Sequence, residues 1–296
     1  MYRMNLGKRI LLFVGTNIAV IAMFTLVLFV LQMFGVRLSS SIAFDATVAL
    51  FFGFAGAFLS LLLSKFIAKW AMGVRVLDPN GNLSDYDRWL VNMVHQQAQA
   101  AGLKKMPEVG IFDSPEVNAF ATGPSRNNSI VAFSSGLLAS MRHDEVEGVS
   151  AHEVGHIANG DMVTMTLVQG VINTFVIFLS RIIARVVASM VREELGMIVF
   201  FVVTFVLQIV FGLLGSMVVA AFSRYREYRA DAFSAQLAGK DKMIRALESL
   251  RRTVDLVDNR QPAMAALKIS GGRNLRNLFS THPPLEDRIA ALQRLP

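Results

Sequence analysis

The residues best equipped for chemistry are His152-Glu153-Val154-Gly155-His156. Positions four apart on an α-helix share a face, so the two imidazoles can grip one metal ion. Glu153, beside the first of them, then reaches a water held by that metal rather than the metal itself. The plain alternative is a polar, solvated helix face. Gly148, Val149, Ala151, Val154 and Ile157 argue against it: a segment this apolar or small suits burial, and buried His and Glu need a partner. A catalytic zinc site usually takes three protein ligands, so one must come from elsewhere. Glu227 and Asp231, within Arg224-Tyr225-Arg226-Glu227-Tyr228-Arg229-Ala230-Asp231, also stand one helical turn apart. One can bind the metal while the other accepts the far ring N–H of a ligand histidine and fixes its tautomer. Glu227 is the best candidate for the ligand, and Asp231 fits the orienting role. The competing picture is an exposed charged helix with Arg–Glu pairs at helical spacing.

The elements that carry these residues belong to a membrane protein. Of 296 residues, 53% are hydrophobic, more than one soluble core requires. Ile10 to Phe34 is a charge-free run of 25 residues, longer than the roughly 20 that span a bilayer as a helix. It is too long for a signal peptide and is followed by no small-residue cleavage site. A second run, Ala46 to Ser64, carries Gly53 and Gly56, which permit close helix packing. These runs predict a transmembrane hairpin over residues 1–70, with spans at about 10–34 and 44–64. Arg3, Lys8 and Arg9 precede it and Lys65, Lys69 and Arg75 follow it, which places both outer ends in the cytoplasm. The net charge of +7 sits mainly beside apolar stretches, Arg181 and Arg185 among them, a pattern that suits lipid headgroups and not nucleic acid. With no cysteine, disulfides, thiolate metal sites and cysteine nucleophiles are excluded.

Residues 71–296 read as a cytoplasmic catalytic domain interrupted by apolar segments at about 162–180 and 196–222. Its amphipathic helix from Ser84 to Gly102 opens on a Ser84/Asp87 cap. Short β-like pieces, Glu108 to Phe112 and Ser129 to Phe133, predict a small sheet of two or three strands. Asp144 to Asn159 is compatible with a helix, and Gln169, Asn173, Thr174 and Gln208 suggest that the later apolar segments face a bundle interior. Apolar stripes through Met243, Leu247 and Leu250 and through Leu285, Ile289 and Leu292 mark further helices. Whether the two segments both cross or neither does, Glu227 returns to the side of His156; a single crossing would separate them. The fold class expected is a predominantly α-helical integral membrane protein with a zincin-type α+β catalytic domain.

Four stretches occur in order: Asn118-Ala119-Phe120-Ala121, Ala151 to Asp161, Glu227-Tyr228-Arg229-Ala230-Asp231 and Thr281-His282-Pro283-Pro284. In these the chain resembles the HtpX family of bacterial heat-shock membrane proteases, within a wider group that includes the CAAX prenyl endopeptidases. The resemblance implies one Zn2+ per chain on His152, His156 and Glu227, with Glu153 as catalytic carboxylate and Asp231 behind a ligand. It also implies cleavage of unfolded, misfolded or damaged membrane proteins in stress quality control at the inner membrane, facing the cytoplasm. Arg142-His143-Asp144 stands where the family usually has a Ser-Pro cap, which leaves the start of the active-site helix open. His282 either donates to a developing oxyanion, as the family element suggests, or belongs to a turn before the last helix. His95 and His143 read as structural and solvated.

A peptide must lie extended across the metal. The segment Ser129, Ile130, Val131, Ala132 and Phe133 is expected to pair with it as an edge strand, or else to be a core strand. The rival functions are a non-catalytic zinc-binding membrane scaffold, which has no need of Glu153, and a metal-ion transporter. The second is opposed by the lack of His, Asp or Glu within the two clear spanning runs.

Overall fold

The computed structural model describes residues 40–260 and 279–295. The span expected at 10–34, with its basic flank, lies outside the described residues. Helices α1 (Ser40–Ala71), α2 (Asp85–Ala100), α3 (Ser135–Ser140), α4 (His143–Asn159), α5 (Asp161–Ala188), α6 (Glu193–Ser234), α7 (Lys240–Arg260) and α8 (Leu285–Gln293) alternate with strands β1 (Arg75–Leu77), β2 (Glu108–Phe112), β3 (Ala119–Ser125) and β4 (Asn128–Ser134). A π-helical turn, Ala235–Gly239, joins α6 to α7. Contacts divide the chain into two compact units. One comprises residues up to Leu59 together with Met165–Val219; the other comprises Ser60–Thr164 and the chain from Ala220 onward.

Among the described residues, three helical stretches are long and apolar enough to cross a membrane: Ile42–Ala71, Asp161–Ala188 and Glu193–Thr253. Gly53 is required where it stands, since a Cβ there would lie 2.2 Å from Thr174 Oγ1, whereas Gly56 faces open space. Three polar residues of α5 bond within the helix: Gln169 Nε2 donates to Asn173 Oδ1 at 2.8 Å and the buried Thr174 hydroxyl to Gly170 O at 2.7 Å. Arg181 and Arg185 meet a carboxylate within the fold. Arg181 Nε donates to Asp45 Oδ1 at 2.8 Å and Arg185 Nε to Oδ2 at 3.0 Å, around a carboxylate that is 0% exposed. Asp45 lies one residue before the apolar run that begins at Ala46, but helix α1 carries it inward, where an unpaired charge would be prohibitive. Lys65 and Lys69, in the other unit, likewise close on Glu108, Lys65 at 2.7 Å.

The second unit holds a four-stranded sheet in the order β1-β2-β4-β3, with β2 and β4 parallel and the outer pairings antiparallel. Strand β4 is therefore internal, paired on one side to β2 and on the other to β3, so the edge reading of Ser129, Ile130, Val131, Ala132 and Phe133 is corrected. The physical reason is in its composition. Ile130 through Phe133 are apolar without alternation and all 0% exposed, as a strand covered on both faces requires. Val131 and Phe133 pack with Leu77 and Val109 against residues of α2 and α4, while Ile130 and Ala132 join Val74 and Phe112 on the opposite face. The edges are the three-residue β1 and the longer β3, whose Gly123-Pro124 disguises a strand that ends in a register shift.

The helices begin and end where their side chains dictate. The Ser84 hydroxyl accepts from Asp87 N at 3.1 Å, and Gly102, at φ 70, stops α2. Helix α4 starts at His143, where the Glu145 carboxylate accepts from Arg142 N at 2.9 Å, so the third residue of the helix closes its N-terminus in place of a Ser-Pro cap. His143 is exposed and stacks edge-on to Trp89, and His95 Nε2 meets Pro107 O at 3.1 Å, both structural roles. Helix α7 offers Met243 and Leu247 to Ile289 and Leu292 of α8, the two stripes expected from periodicity.

Candidate metal centre

Helix α4 turns its middle inward because small or apolar residues flank the polar ones, and His152 and Glu153 are 6% and 9% exposed. Gly155, between the histidines, lets α6 approach closely: a Cβ there would lie 3.1 Å from the Phe233 ring and 3.5 Å from Ala230 O. That approach carries Glu227, 1% exposed, to the imidazoles. His152 Nε2 is 3.4 Å from Glu227 Oε2, His156 Nε2 is 3.3 Å from Oε1, and the two Nε2 atoms are 3.1 Å apart.

Each histidine gives its other nitrogen to a carboxylate. His152 Nδ1 donates to Asp231 Oδ1 at 2.9 Å, and His156 Nδ1 to Asp161 Oδ2 at 2.7 Å. Both Nε2 lone pairs are then turned toward the Glu227 carboxylate, and such a set of acceptors meeting at one point requires a cation. The separations of 3.1 to 3.4 Å match the edge of a tetrahedron, about 3.3 Å when each ligand atom stands about 2.0–2.1 Å from its centre. The residues therefore fit a zinc-type ion, and His152, His156 and Glu227 are the group of metal-capable side chains that converges among the described residues.

Electrostatics points the same way. Burial works against a charged His156, but the Asp161 and Glu227 carboxylates outweigh it and hold the ring up at about 10. Burial likewise opposes charge on His152, and its bonds to Asp231 and Glu227 raise it nonetheless. A pocket so rich in carboxylate recruits positive charge, whether protons on imidazoles or a metal. Burial raises the carboxyl of Glu153 above its ordinary value, against the pull of the two histidines, which keeps it basic enough to take up a proton.

The structure thus gathers His152, Glu153, His156, Glu227 and Asp231 in one place. His282 also arrives: its Nδ1 donates to Glu227 Oε2 at 2.8 Å, although the side chain is 66% exposed. Pro284 caps α8, so the turn reading of this element describes the backbone while the imidazole faces the centre. The strand Ser129 to Phe133 does not line an open edge. Two residues of the centre escape the sequence reading. Asp161 lies past the end of α4, brought back by Gly160 at φ 70. Arg288, 6% exposed, donates through Nε and Nη2 to Asp231 at 2.8 and 2.6 Å. Its signal is its position on the apolar stripe of Leu285, Ile289 and Leu292, where a guanidinium must have a buried partner.

The model of peptidase family M48 matches residues 84–295. The Protease HtpX homolog of Bacillus licheniformis is 53% identical over 300 residues, covering 97% of this chain and 99% of that protein. Protease HtpX of Shewanella sp. (strain ANA-3) is 51% identical over 293 residues, with the same coverage of 97% and 99%. The crystal structure of S. mikatae Ste24p shares the fold, with a TM-score of 0.60 at 20% identity, covering 94% of this chain and 62% of that one. With three membrane-capable helices and a His-His-Glu cluster among its described residues, the chain belongs to peptidase family M48 and is a membrane-bound metalloprotease.

Proposed function

We propose that the chain is a zinc-dependent endopeptidase of the bacterial inner membrane, with one Zn2+ per chain, that cleaves misfolded or damaged membrane proteins on the cytoplasmic side. The observation that carries this reading is the convergence of His152, His156 and Glu227 beside the buried Glu153. In the proposed arrangement residues 1–70 form a spanning hairpin. The catalytic domain, 71–296, is interrupted by the two further apolar segments. The basic flanks of the hairpin support the cytoplasmic orientation, and relatives named as proteases support the quality-control role.

Zinc bound by the two Nε2 atoms and Glu227 supplies a Lewis acid that polarises a carbonyl and acidifies water. The chain's own residues do the rest. Glu153, its proton affinity raised by burial, takes the proton of the attacking water and passes it to the leaving amine. Asp231 and Asp161 hold the ligand imidazoles in one tautomer. Because Nδ1 of His282 donates to a carboxylate, its Nε2 can donate to an oxyanion only in the imidazolium form.

Edge strand β3, packed beside α4, is the proposed substrate platform in place of β4. Ser134 N donates to Asn118 O at 2.9 Å, so Phe120 and Thr122 face β4 in alternation, and the backbone N–H and C=O of Ala119 and Ala121 turn outward. A proline is tolerated where an edge N–H faces out, yet it removes that donor. Ala121→Pro is therefore expected to lower kcat/KM for peptides about fivefold, from one lost backbone bond of about 1 kcal/mol, with metal content and melting temperature little changed. Ala132→Pro, which breaks the sheet's centre, should instead abolish folding.

The reading is tested by stripping the detergent-purified chain with a chelator and following hydrolysis of an unfolded protein. Activity should vanish and return with one equivalent of zinc. A chain that binds zinc and never cuts would be a zinc-holding scaffold, and one that cuts equally well without metal would refute the centre.

A further inference from the structure

We infer that Arg288 is a positioning residue of the metal centre: it fixes the Asp231 carboxylate that in turn fixes His152. The inference rests on the zinc-site reading above and goes beyond it, because Arg288 belongs to α8, an element that supplies no ligand.

The geometry is specific. Arg288 Nε donates to Asp231 Oδ2 at 2.8 Å and Nη2 to Oδ1 at 2.6 Å, a two-bonded fork that sets the plane of the carboxylate. The same Oδ1 accepts from His152 Nδ1 at 2.9 Å, so the plane set by the guanidinium decides where the His152 ring points. Nη1 stands 3.7 Å from Glu227 Oε2, which brings a second member of the centre within reach of the same cation. Both groups are buried, Arg288 at 6% and Asp231 at 2% exposure. Arg288 is itself held by a helix: Leu292 and Ile289 on its own face pack against Met243 and Leu247. A metal site requires supports on rigid elements, and α8 is such a support.

A second explanation makes Arg288 a mere charge balance for Asp231 and Glu227. The two explanations differ in sign. A cation beside a cation site weakens metal binding by repulsion, so removing a pure counter-charge would tighten it. Removing a positioning residue would loosen it. Lysine separates the two, since it keeps the charge and cannot make the planar fork. The packing of α8 is also coupled to the metal through this link, and the coupling is reciprocal: an ion at the centre steadies α8 as α8 steadies the centre.

The experiment is a zinc titration of the full detergent-purified chain and its Arg288→Lys variant against a competing chelator, with the visible spectrum of the cobalt-substituted proteins recorded alongside. Arg288→Lys is expected to bind zinc about 10–100-fold more weakly, as carboxylates and their supports behind metal ligands typically do. Its cobalt spectrum should also change, reporting altered ligand geometry. Parental affinity and spectrum in Arg288→Lys, or tighter binding in Arg288→Gln, would overturn the inference. Should Arg288→Lys not fold, Asp231→Asn is compared with Asp231→Asn/Arg288→Gln. If Arg288 acts through Asp231, the double variant binds zinc no worse than the single one, and a further loss overturns the inference. A parent chain that binds no zinc removes the centre itself and the inference with it, an outcome its own titration makes plain.

Discussion

Glu153→Gln is expected to lower turnover of an unfolded protein substrate by a factor of about 10²–10⁴, with zinc content unchanged. The substitution preserves shape and takes away the group that accepts a proton. Glu153 is 9% exposed, so no bulk water can replace it as base, and His152 and His156 have both nitrogens committed. The ligand set should survive, because Glu153 is not among the converging side chains. Metal analysis beside a hydrolysis assay distinguishes the outcomes. Loss of cutting with retained zinc supports the assignment; equal cutting by both proteins would end it, and loss of zinc would mean that Glu153 supports the metal instead.

Asp45→Leu should destabilise the chain by about 3 kcal/mol, the lower end of what removing one partner from a buried ion pair costs. The full penalty is not expected, because Arg181 and Arg185 retain 20% and 38% side-chain exposure and can extend toward water. The two guanidiniums also lie over the Phe200 ring at 5.3 and 5.6 Å, and that contact persists without the carboxylate. Thermal or denaturant unfolding in micelles measures the difference. Asp45→Glu should recover part of it, and an unchanged midpoint in Asp45→Leu would show that the three charges are not a staple.

What the sequence made legible was local. His152, Glu153 and His156 lie within one helical turn, and Glu227 and Asp231 within another, so the 3.6-residue period alone put each set on one face. The caps of α2 and the stripes of α7 and α8 were readable for the same reason. The non-local features were not. Strand order depends on which partner each strand finds, and nothing in Ser129 to Phe133 by itself names β2 and β3 as neighbours, although its unbroken apolar run spoke for the centre of a sheet. Strand β1, three residues long, is too short to show a period, and β3 was hidden by its half-buried edge position and its Gly123-Pro124. Asp161 escaped because the chain reverses at Gly160, where helical spacing ceases to apply. The pairing of Arg181 and Arg185 with Asp45 is invisible to local patterning because their partner is 136 and 140 residues away.

The scattering of the centre along the chain bears on how the protein comes into being. His152 and His156 are synthesised first, then the long apolar helix α5 and most of α6, then Glu227 and Asp231 near the end of α6, and last His282 and Arg288. A nascent chain with its first two imidazoles alone lacks both the third ligand and the group that fixes the first. Hydrolytic competence therefore comes only after both long apolar helices have been made, and the half-made chain holds two of the three converging side chains without the third.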